Sequence, residues 1–159
     1  MNNQGKKPQI RRSFRESDDF RNFKEMLSGG FVSEGTILPR PELLIFSEKL
    51  AKLLKKSDRR DSDTVNQFRT FFHQVNGFQY IEDAMQIEVE LRMMRARMLY
   101  AAGRQAISRD VSLIIQECID TLLTCGNILK QLPGFCGFFE SLYAYYYYQT
   151  QRDVRRRRG

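Results

Sequence analysis

Apolar residues recur three or four positions apart along most of this chain, as they do on the buried side of an α-helix. Five such stretches follow residue 40, and a shorter one precedes it. Tracts rich in β-branched and aromatic residues, such as SLII and AYYYY, lie inside these helical periods and do not alternate with polar residues. The pattern therefore predicts an all-α protein.

Residues typical of helix ends mark the boundaries of the first helix. Ser17 is suited to be the N-cap of a short helix whose Phe20, Phe23 and Leu27 share one face. Gly29-Gly30 ends this helix, because glycine readily adopts backbone conformations that a helix excludes. The segment from there to Pro41 is predicted to be a linker.

The next two helices have start signals of their own. Pro41 is suited to the first turn of a helix, where its missing N–H costs nothing. Thr64 and Gln67 have the spacing of a capping box, which predicts that the following helix begins at Thr64. Asn76-Gly77 predicts a turn behind it.

Three further helices complete the prediction. The longest covers about residues 81–106, and the next is capped by Ser108 and stops at Gly126. The aromatic run after Pro133-Gly134 forms the last helix. The sequence thus predicts a compact bundle of about five helices over residues 36–151, preceded by a flexible basic arm with a short helix over residues 1–35 and followed by an Arg-rich basic tail over residues 152–159.

The net charge of +7 changes this picture less than its size suggests. Residues 1–12 carry four basic residues and no acid, and residues 152–158 carry five arginines against one aspartate. Residues 13–151 hold 17 basic and 18 acidic residues, so the body of the chain is close to neutral. Within it, however, residues 92–109 contain five arginines and no acid. The basic character of the predicted bundle is therefore local.

Several classes of protein are disfavoured by the composition. No stretch approaches the roughly 20 apolar residues of a membrane-spanning helix, and the first residues lack the apolar core of a secretory signal. Cys118, Cys125 and Cys136 lie in apolar runs and form no CxxC pair. We therefore expect reduced, buried thiols in a cytoplasmic protein.

Groups for catalysis or metal binding are few. The sole histidine, His73, has no Cys, His or carboxylate at ligand spacing, so we expect a partly exposed surface residue, with RNA contact as the alternative. The carboxylates of Glu82 and Asp83, like those of Glu88 and Glu90, point in different directions on a helix. The sequence predicts no catalytic residue, no metal and no cofactor, although groups converging from several helices would escape this reasoning.

The stretch VELRMMRARMLYAAGRQA is the best candidate for a binding surface. Arg97 and Arg104 are two helical turns apart on one face, about 10 Å along the axis, and each guanidinium could clasp a phosphate of an RNA backbone. Tyr100 lies between them and could stack on a base, although covering the edge of the core is the favoured interpretation. An apolar stripe on the same helix is predicted to face the core and consists of Leu91, Met94, Met98, Ala101 and Ala102.

Other basic residues extend or leave this surface. Arg92 and Arg95 project to another side, where a salt bridge from Arg92 to Glu88 is expected, and they are interpreted as structural. Basic residues of neighbouring helices join the surface only if the bundle brings their faces together, and these are Lys49, Lys52, Lys56 and Arg69.

Three stretches resemble the small helical subunit of type III-A CRISPR effector complexes, the Csm small subunit. TVNQFRTFFHQV resembles an early Thr-x-x-Gln-x-Arg-x-Phe helix of that family and matches Arg69 to its arginine. LRMMRARMLYAAGR resembles a basic-apolar-Tyr-Ala-x-x-Arg helix and matches Arg97, Tyr100 and Arg104, with Arg97 where the family often has lysine. FCGFFESLYAYYYY is similar to the closing Phe-rich, Tyr-Ala-x-x-Tyr helix.

The resemblance implies a non-catalytic helix bundle that acts in antiviral defence. Its copies would stack beside the backbone subunits and line the channel that holds the guide RNA–target RNA duplex, without reading the sequence. The implied partners are guide RNA, target RNA, the backbone and large subunits, and further copies of the chain, but no membrane. The predicted RNA-binding residues are Arg69, Arg97, Arg104, Tyr100, Lys52 and Lys56.

Two other functions remain open from the residues alone. One is a protein-interaction adaptor whose Tyr- and Phe-rich last helix forms a partner groove. The other is a DNA-binding regulator of the helix-turn-helix type, which lacks support because no short helix pair feeds a basic recognition helix.

Overall fold

The computed structural model describes residues 13–58 and 61–159, and their secondary structure is helical. No β-strand occurs among them; the nearest feature is a single bridge between Val32 and Pro39. The all-α prediction is confirmed. A short 3-10 turn precedes six α-helices, which are α1 (Asp18–Leu27), α2 (Pro41–Ser57), α3 (Asp61–Phe78), α4 (Ala84–Gly103), α5 (Arg109–Thr124) and α6 (Ile128–Arg158).

Two predicted N-caps and one N-terminal proline are present in the structure. The Ser17 hydroxyl accepts a hydrogen bond from the backbone N–H of Phe20 at 3.1 Å, and the Ser108 hydroxyl accepts one from Val111 at 3.1 Å. Each satisfies an N–H that the first turn of the helix leaves without a partner. Pro41 is the first residue of α2, as predicted.

The predicted start of α3 at Thr64 is wrong. The helix begins at Asp61, and Thr64 lies inside it with a buried side chain. Its hydroxyl accepts a hydrogen bond from the backbone N–H of Ser108 at 3.1 Å. The threonine therefore satisfies the loop before α5 and does not cap its own helix, a long-range role that sequence spacing does not reveal.

The predicted start of α6 after Pro133-Gly134 is also wrong. The helix begins at Ile128, where the side chain of Asn127 accepts a hydrogen bond from the N–H of Lys130 at 3.1 Å. Pro133 lies in the second turn and removes only one early backbone hydrogen bond. A proline so close to a helix start interrupts little of the hydrogen-bond ladder, so the capping asparagine determines the boundary.

At its other end α6 continues through the residues that the sequence sets apart as a tail. Residues 152–158 form its last turns, so the helix has 31 residues and a length of about 46 Å. Arginine is a good helix former, and cations near a helix C-terminus interact favourably with the helix dipole. The basic residues of this segment are therefore presented on a regular helix.

The core is organised around α6. Its large apolar and aromatic side chains face α2, α3, α4 and α5. The ring of Phe68 from α3 meets the edges of Phe139 and Tyr146 at centroid distances of 5.3 and 5.6 Å. The aromatic face of α6 thus fills the protein's own core, where its fully buried members are Phe135, Phe138, Phe139, Leu142 and Tyr146.

Helix α1 belongs to the same core, although the sequence sets residues 1–35 apart from the bundle. The ring of Phe23 stacks on Phe138 of α6 at 5.6 Å and on Phe46 of α2 at 6.1 Å. Phe31, in the segment behind α1, is buried against Phe135. The short helix is therefore an integral layer of the bundle.

The prediction that the three thiols are buried is correct for Cys118, partly correct for Cys136 and wrong for Cys125. Cys118 is buried, Cys136 is partly buried, and both belong to the core; all three thiols are free. Burial raises the pKa of Cys118 well above its ordinary value and that of Cys136 to about 11. Cys125 is exposed, because it follows the last turn of α5. Its sulfur approaches the backbone carbonyl of Leu122.

Candidate RNA-binding surface

The sequence predicted no catalytic residue, no metal site and no membrane span, and the structure bears on each as follows. His73 is exposed on α3, with its ring 5.7 Å from that of Phe72. Across residues 13–58 and 61–159, no three His, Cys, Asp or Glu side chains are arranged to hold a metal ion. In the same residues no helix has the length and apolar character needed to cross a membrane.

Helix α4 holds its arginines on the side away from the core. The apolar stripe of Leu91, Met94, Met98 and Ala101 is buried, and Ala102 is partly buried, so the predicted core face is confirmed. Helical periodicity then directs the intervening positions outward. These outward positions include the arginines of the predicted binding surface.

Arg97, Tyr100 and Arg104 line one groove between α4 and α3, as their spacing predicts. The groove has a volume of about 370 Å3, and α3 contributes the side chains of Gln67, Thr70 and Gln74. Two guanidinium groups thus share one concave surface with neutral hydrogen-bonding groups. We call these six residues the arginine groove.

The electrostatics of the arginine groove are of one sign. None of its lining residues in the described part of the chain is acidic. The only charged side chains in it are those of Arg97 and Arg104, and both are exposed. An arrangement of two arginines without a neutralising carboxylate favours an anionic ligand, because guanidinium pairs well with phosphate and carboxylate.

Tyr100 does not cover the edge of the core, so that favoured interpretation is wrong. Its side chain is 65% exposed. The guanidinium of Arg104 lies 5.3 Å from the centre of its ring, a cation–π distance. The ring therefore stands in solvent, next to a cation.

Arg69 lies on a different flank of α3. Its Nε donates a hydrogen bond to the hydroxyl of Tyr143 at 3.1 Å, and its guanidinium lies 6.0 Å from the ring centre of Tyr147, both on α6. The bond to Tyr143 raises the pKa of Arg69, so the side chain remains charged. Since successive residues of a helix are about 100° apart, Arg69 and the groove residue Thr70 face different neighbours. The structure does not bring Arg69 into the arginine groove.

Arg92 and Arg95 have the structural roles predicted for them. The guanidinium of Arg92 contacts the Glu88 carboxylate at 2.8 Å one turn earlier on α4. Arg95 bonds to Asp120 at 3.0 Å and thereby ties α4 to α5. Both arginines have carboxylate partners, whereas Arg97 and Arg104 have none among the residues that the structure describes.

Lys52 and Lys56 lie on a second basic surface, not in the arginine groove. They line a cavity of about 280 Å3 between α2 and the end of α6, and the two cavities have no lining residue in common. Lys49, which the sequence placed in the same stripe, bonds to Asp19 of α1 at 2.9 Å. The prediction that these lysines extend one continuous stripe depended on tertiary packing, and the packing puts them elsewhere.

Sequence reasoning missed two members of this second surface, Arg152 and Arg156, which line the same cavity. Their i,i+4 spacing is visible in the sequence and would place them on one face of a helix. This spacing did not predict a shared face, because residues 152–159 were assigned to a tail and not to a helix.

Comparison with known proteins assigns most of the chain to one family model. The model, described as Csm2 Type III-A, matches residues 40–152, well over half of the sequence. The matched range includes α2 to α5 and most of α6, with all six predicted RNA-binding residues, but not α1. No curated protein and no solved structure gave a significant match.

Proposed function

Since this chain belongs to the Csm2 Type III-A family, whose members are small subunits of a type III-A CRISPR complex, we propose that it lines the channel for the guide RNA–target RNA duplex. It contacts the RNA backbone there without reading the sequence. Its partners are the two RNA strands, the backbone and large subunits, and further copies of itself. The role is non-catalytic and serves antiviral defence.

The observation that supports this proposal is the arginine groove. Arg97 and Arg104 are exposed, share one concave surface and have no acidic neighbour among its described lining residues. Their separation of about 10 Å along α4 suits two different phosphates of one strand. A planar guanidinium binds a phosphate through two parallel hydrogen bonds, which gives both affinity and orientation.

The neutral part of the arginine groove fits contact with RNA that is independent of sequence. The side chains of Gln67, Thr70 and Gln74 carry donors and acceptors that can reach ribose 2′-hydroxyls. Backbone and ribose groups are the same at every nucleotide, so such contacts position a duplex and leave recognition to base pairing.

The non-catalytic role is supported by the chemistry of the same residues. RNA cleavage needs a base, an acid or a metal near the scissile phosphate. The described lining of the arginine groove offers arginine, tyrosine, amide and hydroxyl groups, with no histidine or carboxylate. These groups bind and orient, which is what a duplex-holding subunit requires.

The test replaces Arg97→Ala together with Arg104→Ala in the assembled complex and measures affinity for a complementary target RNA across salt concentrations. We expect roughly tenfold weaker binding and a salt slope lower by about two, because each lost phosphate contact reduces the slope by about one. Adding Arg69→Ala measures whether the α6 flank contributes.

The matched control is Arg21→Ala with Arg92→Ala. It removes the same charge from two exposed arginines that pair within their own helices, with Asp18 and Glu88. We expect the control complex to bind like the wild type. Equal affinity and equal slope for the Arg97/Arg104 variant and the wild type would refute the role of the groove.

A further inference from the structure

A second basic surface lies at the end of the bundle where α2 and α6 terminate. Lys52 and Lys56 from α2 face Arg152 and Arg156 from α6 across a cavity of about 280 Å3. We call these four residues the C-terminal basic cavity. All four side chains belong to exposed residues, so the charges are accessible to a ligand.

The charge of this cavity is not balanced by the protein. The only acid among its described lining residues is Asp153, whose carboxylate lies 3.6 Å from the ammonium of Lys55. Lys55 is buried, whereas the Asp153 side chain is 38% exposed, so one negative charge offsets part of the positive charge of the cavity. Lys52 has a half-exposed partner in Glu48 at 3.0 Å, an arrangement worth little in water.

The remaining three cations, Lys56, Arg152 and Arg156, have no carboxylate partner among the described residues. Holding three like charges around one cavity costs free energy that an anionic ligand recovers. The geometry therefore points to a polyanion. The residues next to the cavity indicate which kind of polyanion it binds.

Two exposed tyrosines continue the surface along α6. Tyr148 and Tyr145 precede Arg152 by four and seven residues, one and two turns back on the same side of the helix. They are 60% and 36% exposed. The neighbouring Tyr146, in contrast, is buried and donates a hydrogen bond to Asp58 at 2.5 Å.

We propose that the C-terminal basic cavity and Tyr148 bind single-stranded RNA. Cations along a groove with aromatic rings beside them form the usual platform for single strands, because the cations hold the phosphates while the bases stack on the rings. Bases inside a duplex are already stacked on each other and cannot use an exposed ring on a convex helix.

This inference extends the proposed function, since it gives the same chain a second contact with RNA that lies outside the duplex. Arg156 lies beyond residue 152, where the family match ends, whereas Arg97 and Arg104 lie well inside the matched range.

The test uses the full chain and two probes, a fluorescent oligouridylate of about 12 nucleotides and an RNA duplex of similar length. For Arg152→Ala/Arg156→Ala we expect at least about tenfold weaker binding of the oligouridylate at about 50 mM salt and a salt slope lower by about 1.4. Duplex binding is expected to change less than about twofold, because the arginine groove is intact.

The matched control removes the same charge elsewhere on α6, with Lys130→Ala and Arg158→Ala. Arg158 lies about 200° around the helix from Arg156, and Lys130 lies near the other end. The control is expected to bind the oligouridylate like the wild type. An equal loss in the control would show a diffuse charge effect and overturn the proposal.

Stacking is tested by Tyr148→Ala against Tyr148→Phe. The alanine variant is expected to bind the oligouridylate about fivefold more weakly or worse, and the phenylalanine variant, which keeps the ring, is expected to bind normally. Unchanged binding by Tyr148→Ala would overturn the single-strand proposal. So would displacement of the oligouridylate by poly-glutamate at equal concentration of charges, which would indicate an acidic protein partner.

The outcome can be separated from that of the proposed function by testing Arg97→Ala/Arg104→Ala with the same probes. If that variant loses duplex binding but still binds the oligouridylate, both conclusions are supported. If its duplex binding is unchanged, the proposed function fails, and the oligouridylate results still decide the C-terminal basic cavity.

Discussion

At the scale of single residues, Gly134 lies where α6 crosses the chain between α1 and α2. A Cβ atom at this position would overlap the backbone carbonyl of Phe31, which is not the end of a flexible side chain and cannot turn away. The side chain of Gln131, one turn earlier, accepts a hydrogen bond from the N–H of Phe31 at 2.7 Å and holds the two segments together. Close contact of two backbones is therefore what requires glycine here.

We expect Gly134→Ala to lower the free energy of unfolding by about 2 kcal/mol or more, because either α6 or the Phe31 segment must shift. Chemical denaturation followed by circular dichroism measures the change. The control is Gly103→Ala in the last turn of α4, where a Cβ meets nothing within 4 Å. That substitution is expected to stabilise by up to about 1 kcal/mol. Similar changes in the free energy of unfolding at both sites would show that the close backbone contact at Gly134 does not require glycine.

At the scale of helices, local signals predicted boundaries well where the capping group and the helix are neighbours in sequence. Ser17, Pro41 and Ser108 are such cases, since each acts within one turn of its own helix. The predicted turn at Asn76-Gly77 is wrong, because α3 continues through both residues to Phe78. The failures at Thr64 and at Pro133 arose where a residue typical of a helix start has another role. Thr64 bonds to the loop before α5, and Pro133 is tolerated near the N-terminus of α6. These roles depend on tertiary structure, which a sequence pattern does not contain.

The bond between Thr64 and Ser108 leads to a prediction at this scale. Thr64→Val keeps the shape of the buried side chain but leaves the N–H of Ser108 without its acceptor. We expect it to destabilise the fold by about 1 kcal/mol, the net contribution of one hydrogen bond, because the Ser108 donor is only partly buried. Thr64→Ser keeps the hydroxyl and loses one methyl group, so we expect a cost of about 1 kcal/mol or less. Thermal unfolding of both variants is the measurement, and a serine variant less stable than the valine variant would contradict the argument.

At the scale of the whole molecule, the bundle divides the basic residues into surfaces that the sequence could not separate. Arg97 and Arg104 are on one helix, and helical spacing alone predicted that they lie together. The positions of Arg69 and Lys52 depend on tertiary packing: Arg69 contacts α6, and Lys52 lines a cavity with the end of α6, so neither lies in the arginine groove. Sequence reasoning therefore found the residues within one element reliably and could not assign residues of different elements to one surface.

The extent of the folding unit is also a property of the whole molecule. The family match begins at residue 40, yet five apolar side chains before that position are buried. At about 1.5–3 kcal/mol for each buried side chain, their loss is comparable with the total stability of a typical domain, about 5–15 kcal/mol. The residues concerned are Phe20, Phe23, Leu27, Phe31 and Val32.

We therefore expect a chain that begins at Arg40 to be largely unfolded or aggregated, although it contains the whole matched range. Removing α1 and the following segment uncovers Phe46 and Phe138, because their partner Phe23 is lost. A chain that begins at Ser13 retains α1 and is expected to unfold cooperatively. Size-exclusion chromatography and thermal unfolding compare the two. A monomeric chain from Arg40 with an unchanged melting temperature would show that α1 is dispensable and that the bundle beginning at α2 folds without it.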